Sequence, residues 1–149
     1  MAELPPRRLA AALWDMKTIF FKVICLILFL ALFPRAEAAA TWVKVSGGSW
    51  DPSPTMLTDL KAQIESYVES QAKAQGRELK RWQDYTFQYQ AREEKGRKYI
   101  FVNALCASTD RHTLDKQIIV TLDGGSCFFN LKYDPGQKVF FDLFINGEA

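Results

Sequence analysis

Histidine is nearly absent from this chain of 149 residues: His112 is the only one. A zinc site draws on several His or Cys ligands at helical or knuckle spacing, and no such set exists. His112 stands beside Asp110 and Asp115 in a polar stretch and reads as a surface-loop residue. No Gly-x-Ser-x-Gly, no Cys-x-x-Cys and no Gly-rich loop ending in Lys-Ser/Thr occurs. Nucleophilic catalysis needs a nucleophile beside a base, and that constellation is missing. Asp123 precedes Gly124-Gly125 and Asp134 precedes Pro135, so both acids read as turn residues. The chain is therefore expected to be non-catalytic, with no cofactor and no metal. "DGG" at residues 123–125 reads as a turn or bulge entering the next strand, since no Lys or helix start follows it.

The chain is also short of long apolar runs. Its longest uncharged one is "VICLILFLALF", Val23 to Phe33, with Lys17 and Lys22 upstream. A spanning helix needs about 20 apolar residues, roughly twice this length. "PRAEAAA" follows with small residues in an Ala-x-Ala pattern, so residues 1–38 read as an export signal cut after Ala38 or Ala40. An uncleaved anchor is the competing reading, and a membrane link is expected through that anchor alone. "MKTIFFKV" is an ordinary signal start, which makes Met16 a candidate true beginning. Of 19 basic and 17 acidic residues, five and three lie in residues 1–38, so the remainder is electrically balanced. No basic field remains to attract nucleic acid.

Three cysteines are present, and Cys25 sits in the signal. Cys106 and Cys127 remain, an even pair in an exported chain, and are expected to form a disulfide. The closed loop would contribute roughly 3 kcal/mol. The expected destination is the bacterial periplasm or the outside of the cell.

Residues 39–149 suit a single domain. "PTMLTDLKAQIESYVESQAKAQG" has Leu57, Leu60, Ile64, Tyr67, Val68 and Ala72 on one helical stripe. Ser53 or Thr55 can cap it, Pro54 suits the first turn and Gly76 ends it. Strands follow. Tyr85, Phe87, Tyr89 and Ala91 alternate with Thr86, Gln88, Gln90 and Arg92. "RKYIFVNALC" reads as a central strand, "QIIVTL" as a short β-branched one, and "SCFFNLKY" and "KVFFDLFING" as two more joined by "DPGQ". In that turn Pro135 presets one dihedral and Gly136 permits positive φ. "TWVKVSG" adds an edge strand. The predicted class is α+β: one helix across a curved antiparallel sheet of four to five strands.

That order resembles the cystatin-like fold over roughly residues 42–149. Gly47-Gly48 lies ahead of the helix, "YTFQYQAREEKGRKYIFV" looks like the first inhibitory hairpin, and "YDPGQKVFFDL" resembles the second hairpin region. The resemblance implies a wedge made of Gly47-Gly48, the hairpin tip Arg92, Glu93, Glu94, Lys95, Gly96, and the turn Asp134, Pro135, Gly136, Gln137. Cystatins carry Gln-x-Val-x-Gly at the first tip. Aligned on Gly96, this chain has Arg92-Glu93-Glu94-Lys95-Gly96, and only the glycine matches. Four charged residues would have to shed water in a protease cleft, at a cost of several kcal/mol. The second hairpin lacks the Trp of many cystatins, and the insert "ASTDRHTLDKQIIVTLDGG" has no counterpart in the short stefin loop. The second half, from "KYIFVNALC" to "FINGEA", is also similar to small exported bacterial proteins of no assigned activity. That likeness implies a compartment and a fold.

The functional expectation is a binding domain with a protein partner of unknown identity. A cysteine-protease inhibitor of cystatin type is the alternative, and a small enzyme with a cone-shaped pocket is the third. Aromatics crowd the strands, and Phe128, Phe140 and Phe144 fall out of phase with Phe129, Phe141 and Leu143. Either Trp42, Trp50, Trp82 and the insert cover the outward ones, or they form a binding face.

Overall fold

The computed structural model describes residues 39–106 and 111–147. The predicted export signal, with Met16 and Cys25, and Asp110 lie outside these residues. The elements are β1 (Thr41–Lys44), α1 (Pro54–Ala74), β2 (Thr86–Glu94), β3 (Arg97–Leu105), a short α2 (Arg111–Leu114), β4 (Phe128–Asp134) and β5 (Val139–Ile145). The strands form one open five-strand sheet in the order β1-β2-β3-β4-β5.

α1 forms for local reasons. Ser53 Oγ accepts from Met56 N, and Pro54 occupies the first turn, where its missing N–H costs nothing. At the far end Gly76 has φ 67°, Arg77 N donates to Ala72 O, and Gly76 N donates to Lys73 O. This Schellman arrangement satisfies carbonyls the helix would leave bare. Leu60, Ile64, Val68 and Ala72 are buried on one stripe. They pack on Phe87, Ile100, Val102, Phe129, Leu131 and Ile145 of the sheet's inner face. Each of the larger side chains among them contributes roughly 1.5–3 kcal/mol by leaving water, and Ala72 less.

Strands β2 to β5 form the expected antiparallel meander. β1 corrects the prediction of an antiparallel sheet: it runs parallel to β2, with Thr41 opposite Thr86 and Lys44 opposite Tyr89. Parallel neighbours need a long crossover, and α1 supplies it. The sheet is mixed.

The run Gln117–Leu122 corrects a second expectation, because it is not a strand. β3 and β4 already pair with each other and leave no edge for it. It lies instead across the outer sheet face, where side chains claim its backbone. Gln88, fully buried, donates from Nε2 to Leu114 O and Gln117 O, both at 2.8 Å. Its Oε1 accepts from Asn103 Nδ2 at 3.0 Å and Ile119 N at 2.8 Å. Asn103 Nδ2 also donates to Ile119 O, and Asn146 Nδ2 to Thr121 O and Asp123 O. The alternation that marked Gln88 as a polar outward position is correct, but the position is covered rather than wet.

Residues 111–127 form a strap whose end is joined to the end of β3 by the Cys106–Cys127 disulfide. Next to it, Tyr85 Oη donates to Ser126 O at 2.5 Å and accepts from Lys80 N at 3.1 Å.

The aromatic phase problem has a geometric answer. Asp142 has φ 50° in a bulge opposite the Asn130–Lys132 stretch. The extra residue turns Phe140, Leu143 and Ile145 to the core side, and leaves Phe141 and Phe144 outside. Trp42 and Trp82 do not cover the outer face: both pack on Phe87 inside, Trp42 stacked at 4.6 Å and Trp82 tilted at 4.7 Å. Outer cover comes from the strap and from cations. Arg92 lies 4.3 Å over Phe101, Arg97 4.2 Å over Phe141, and Lys132 5.2 Å over Tyr99. Phe144 stays 59% exposed, and on the strap Val120 and Leu122 are 77% and 92% exposed.

Candidate functional site: the hairpin edge

The β2–β3 turn has two central residues, Lys95 at φ 51° and Gly96 at φ 79°, between the paired Glu94 and Arg97. Two positive φ values fit a type I′ turn, whose twist matches that of the strands. Gly96 adopts its value freely, whereas Lys95 does so against side-chain sterics. Glu93, Glu94, Lys95 and Gly96 are exposed at this tip. Arg92 is not part of the tip: it lies over Phe101 and donates from Nε to Gln90 Oε1 at 2.8 Å.

The β4–β5 turn is organised by Asp134. Its Oδ1 accepts from Gly136 N at 3.0 Å and Gln137 N at 3.1 Å. Gly136 does not take the positive φ expected of it. That conformation falls on Lys138, at φ 55°, because the turn closes one step before the strand resumes. Asp134 Oδ2 accepts from Arg97 Nε at 3.0 Å, so the carboxylate joins the two hairpins. Desolvation pushes the Asp134 carboxyl up, but the Gln137 N–H, Arg97 and the Gly136 N–H outweigh it and hold it below its ordinary value.

The chain ahead of α1 reaches the same edge. Gly47 and Gly48 run along β2, and Ser49 N donates to Ala91 O at 2.8 Å. A Cβ on Gly48 would meet Ala91 O at 2.9 Å, so glycine permits this close approach. The glycine pair is thus bound to the sheet and does not line the groove described below. Trp50 does. Its Nε1 donates to Arg92 O at 2.9 Å, and Lys98 lies 5.7 Å from its ring. Asp51 pairs with Lys44. On the other side Lys138 pairs with Asp59 of α1 at 2.7 Å, which raises the Lys138 ammonium above its usual value.

Helix, second hairpin, first hairpin and pre-helix segment are therefore tied in sequence around a groove of about 660 Å³. It is lined by Trp50, Asp51, Ser53 and Met56 on one side, by Gly96, Arg97 and Lys98 on another, and by Asp134–Gln137 on the third. Of the predicted residues, Gly96 and Asp134, Pro135, Gly136 and Gln137 meet here. Glu94 and Lys95 line a separate pocket with Tyr99, Lys132 and Phe141, and Glu93, Gly47, Gly48 and Arg92 do not line the groove. Trp50 and Met56 were missed as site residues. The available signal was a Trp just after Gly-Gly and just before a helix cap.

Among the described residues no group of His, Cys, Asp and Glu is arranged to hold a metal ion, and no helix is long and apolar enough to cross a membrane. No family model, curated protein or solved structure matches this chain.

Proposed function

We propose that this protein is an exported, non-catalytic binding domain of cystatin-like type that engages a protein partner through the hairpin edge. One observation carries the reading: two hairpins and the pre-helix segment, distant in sequence, are linked around one groove by Asp134–Arg97, Lys138–Asp59 and Trp50–Arg92 contacts. Prearranged side chains bind with less entropy lost than loose ones, so such ties favour recognition. The helix laid across an antiparallel meander supports the cystatin-like part, and the parallel β1 is a departure from it. The disulfide is compatible with export.

The experiment is affinity capture from the exported fraction with wild-type bait and with an Arg97→Ala/Lys98→Ala bait. A partner held by the first and lost by the second supports the edge. Equal retention by both overturns it.

A specific observation also favours a second reading, cysteine-protease inhibition. The segment after Gly47-Gly48 and both turns reach one edge, as a wedge requires. Against it stand the exposed charges of Glu93, Glu94 and Lys95, which a protease cleft would have to desolvate.

A further inference from the structure

The walls of the hairpin groove carry charges of both signs, but these charges are not equally committed. Asp51 is paired with Lys44. Asp134 holds Arg97 and two turn amides. The first turn of α1, which borders the groove, has no acidic residue. Lys98 differs from the other charged wall residues. Its contact is the Trp50 ring, and it forms no ion pair, even with Glu93 opposite it in the β2–β3 register. Among the groove-lining residues this leaves one cation outside any ion pair and no such carboxylate, with Glu93 opposite Lys98 on the neighbouring strand but outside the lining.

Much of the groove's remaining surface is apolar, with Ser53 and Gln137 as its uncharged polar side chains. The Trp50 indole N–H is spent on Arg92 O, so the ring acts as an apolar wall. Met56 lies in the first turn of α1 and Pro135 begins the opposite turn. Thioether, indole and pyrrolidine make a surface suited to an aliphatic side chain. The groove's volume of about 660 Å³ is that of a ligand site, yet it is open along its length. An open groove covers one side of a chain rather than enclosing a small molecule.

We infer that the groove takes an acidic polypeptide segment, with an aliphatic side chain against Trp50, Met56 and Pro135 and a neighbouring carboxylate on Lys98. This rests on the hairpin edge being the binding face. The Lys98 ammonium gives up little on binding, since it leaves an aromatic face and no ion pair. Its charge steers the approach and fixes the register of the segment.

Two blocked pentapeptides test this: glycine-aspartate-leucine-aspartate-glycine and its twin with asparagine for both aspartates. Each is titrated into the isotope-labelled, disulfide-bonded protein while the Trp50 indole N–H and the Lys98 and Gly136 amides are followed by NMR. The acidic peptide should shift all three with half-saturation near about 1 mM. The asparagine twin should bind about tenfold more weakly, and added salt should narrow the gap. Lys98→Met should bring the two peptides level, with the remaining spectrum confirming the fold. Equal binding by the twins to the native protein, or no shift at the groove by about 5 mM, overturns the inference. These failures are separable from failure of the binding role. If the twins tie while partner capture still depends on Arg97 and Lys98, only the ligand chemistry is wrong. If capture ignores the edge, the role itself is wrong.

Discussion

The strap and the hairpin edge lie at different places on one sheet and are held by different forces. The strap, residues 111–127, rests on a fully buried Gln88 whose two donors and acceptor oxygen are all used, on Asn103 and Asn146, and on a disulfide. The hairpin edge is held by contacts with at least one exposed partner: Arg97–Asp134, in which the arginine is half exposed and the aspartate is buried, and Lys138–Asp59, in which the lysine is the more exposed. Buried hydrogen bonds are costly to leave unmade, whereas exposed ion pairs contribute up to about 1 kcal/mol. Stability is thus concentrated under the strap. The edge is ordered enough to present a surface, yet its residues can change at little cost to the fold.

The largest effect expected from breaking this contrast is at Gln88. Gln88→Leu keeps the bulk but strands Leu114 O, Gln117 O and Ile119 N. Urea denaturation should show a loss of about 4 kcal/mol, at roughly 1–3 kcal/mol per stranded group. Reduction of Cys106–Cys127 comes next, at roughly 3 kcal/mol, with amides of the strap exchanging hydrogen faster than those of the hairpins.

At the edge the effects are smaller. Asp134→Asn keeps an acceptor for Gly136 N and Gln137 N but loses the charge that pairs with Arg97. Its cost at neutral pH should be about 1 kcal/mol or less. The sign with pH follows from the lowered native carboxyl. Asp134 contributes stability above its unfolded value, about pH 4, and that contribution is lost as pH falls through the native value. Thermal melts of the variant should therefore fall less steeply below about pH 4 than those of the native protein. The smallest effect has the opposite sign. Lys95→Asn relieves a left-handed lysine and should raise stability by about 0.5 kcal/mol.

The same contrast explains what was legible in the sequence. α1 was, because its cap, stripe and terminal glycine agree. The β2–β5 meander was, because alternation and turn residues agree. The direction of β1 was not, since strand-helix-strand order permits either pairing until the crossover is seen. The strap was misread because a buried amide and a solvent-facing amide occupy the same outward position in an alternating strand. Gln88 and Asn103 differ from Gln90 only through what lies above them. Turn residues such as Asp134 and Gly96 could be placed from local chemistry. Trp50 and Met56 could not, because an aromatic or a methionine near a helix start reads equally well as core.

The account's central claim is that the hairpin edge binds a partner without acting as a protease wedge. Titration of the disulfide-bonded protein against papain activity tests it most directly. The account predicts full papain activity at about 100 µM protein, because Glu93, Glu94 and Lys95 would lose water in the cleft without compensation. Stoichiometric inhibition would contradict it and make the charged hairpin an inhibitory loop.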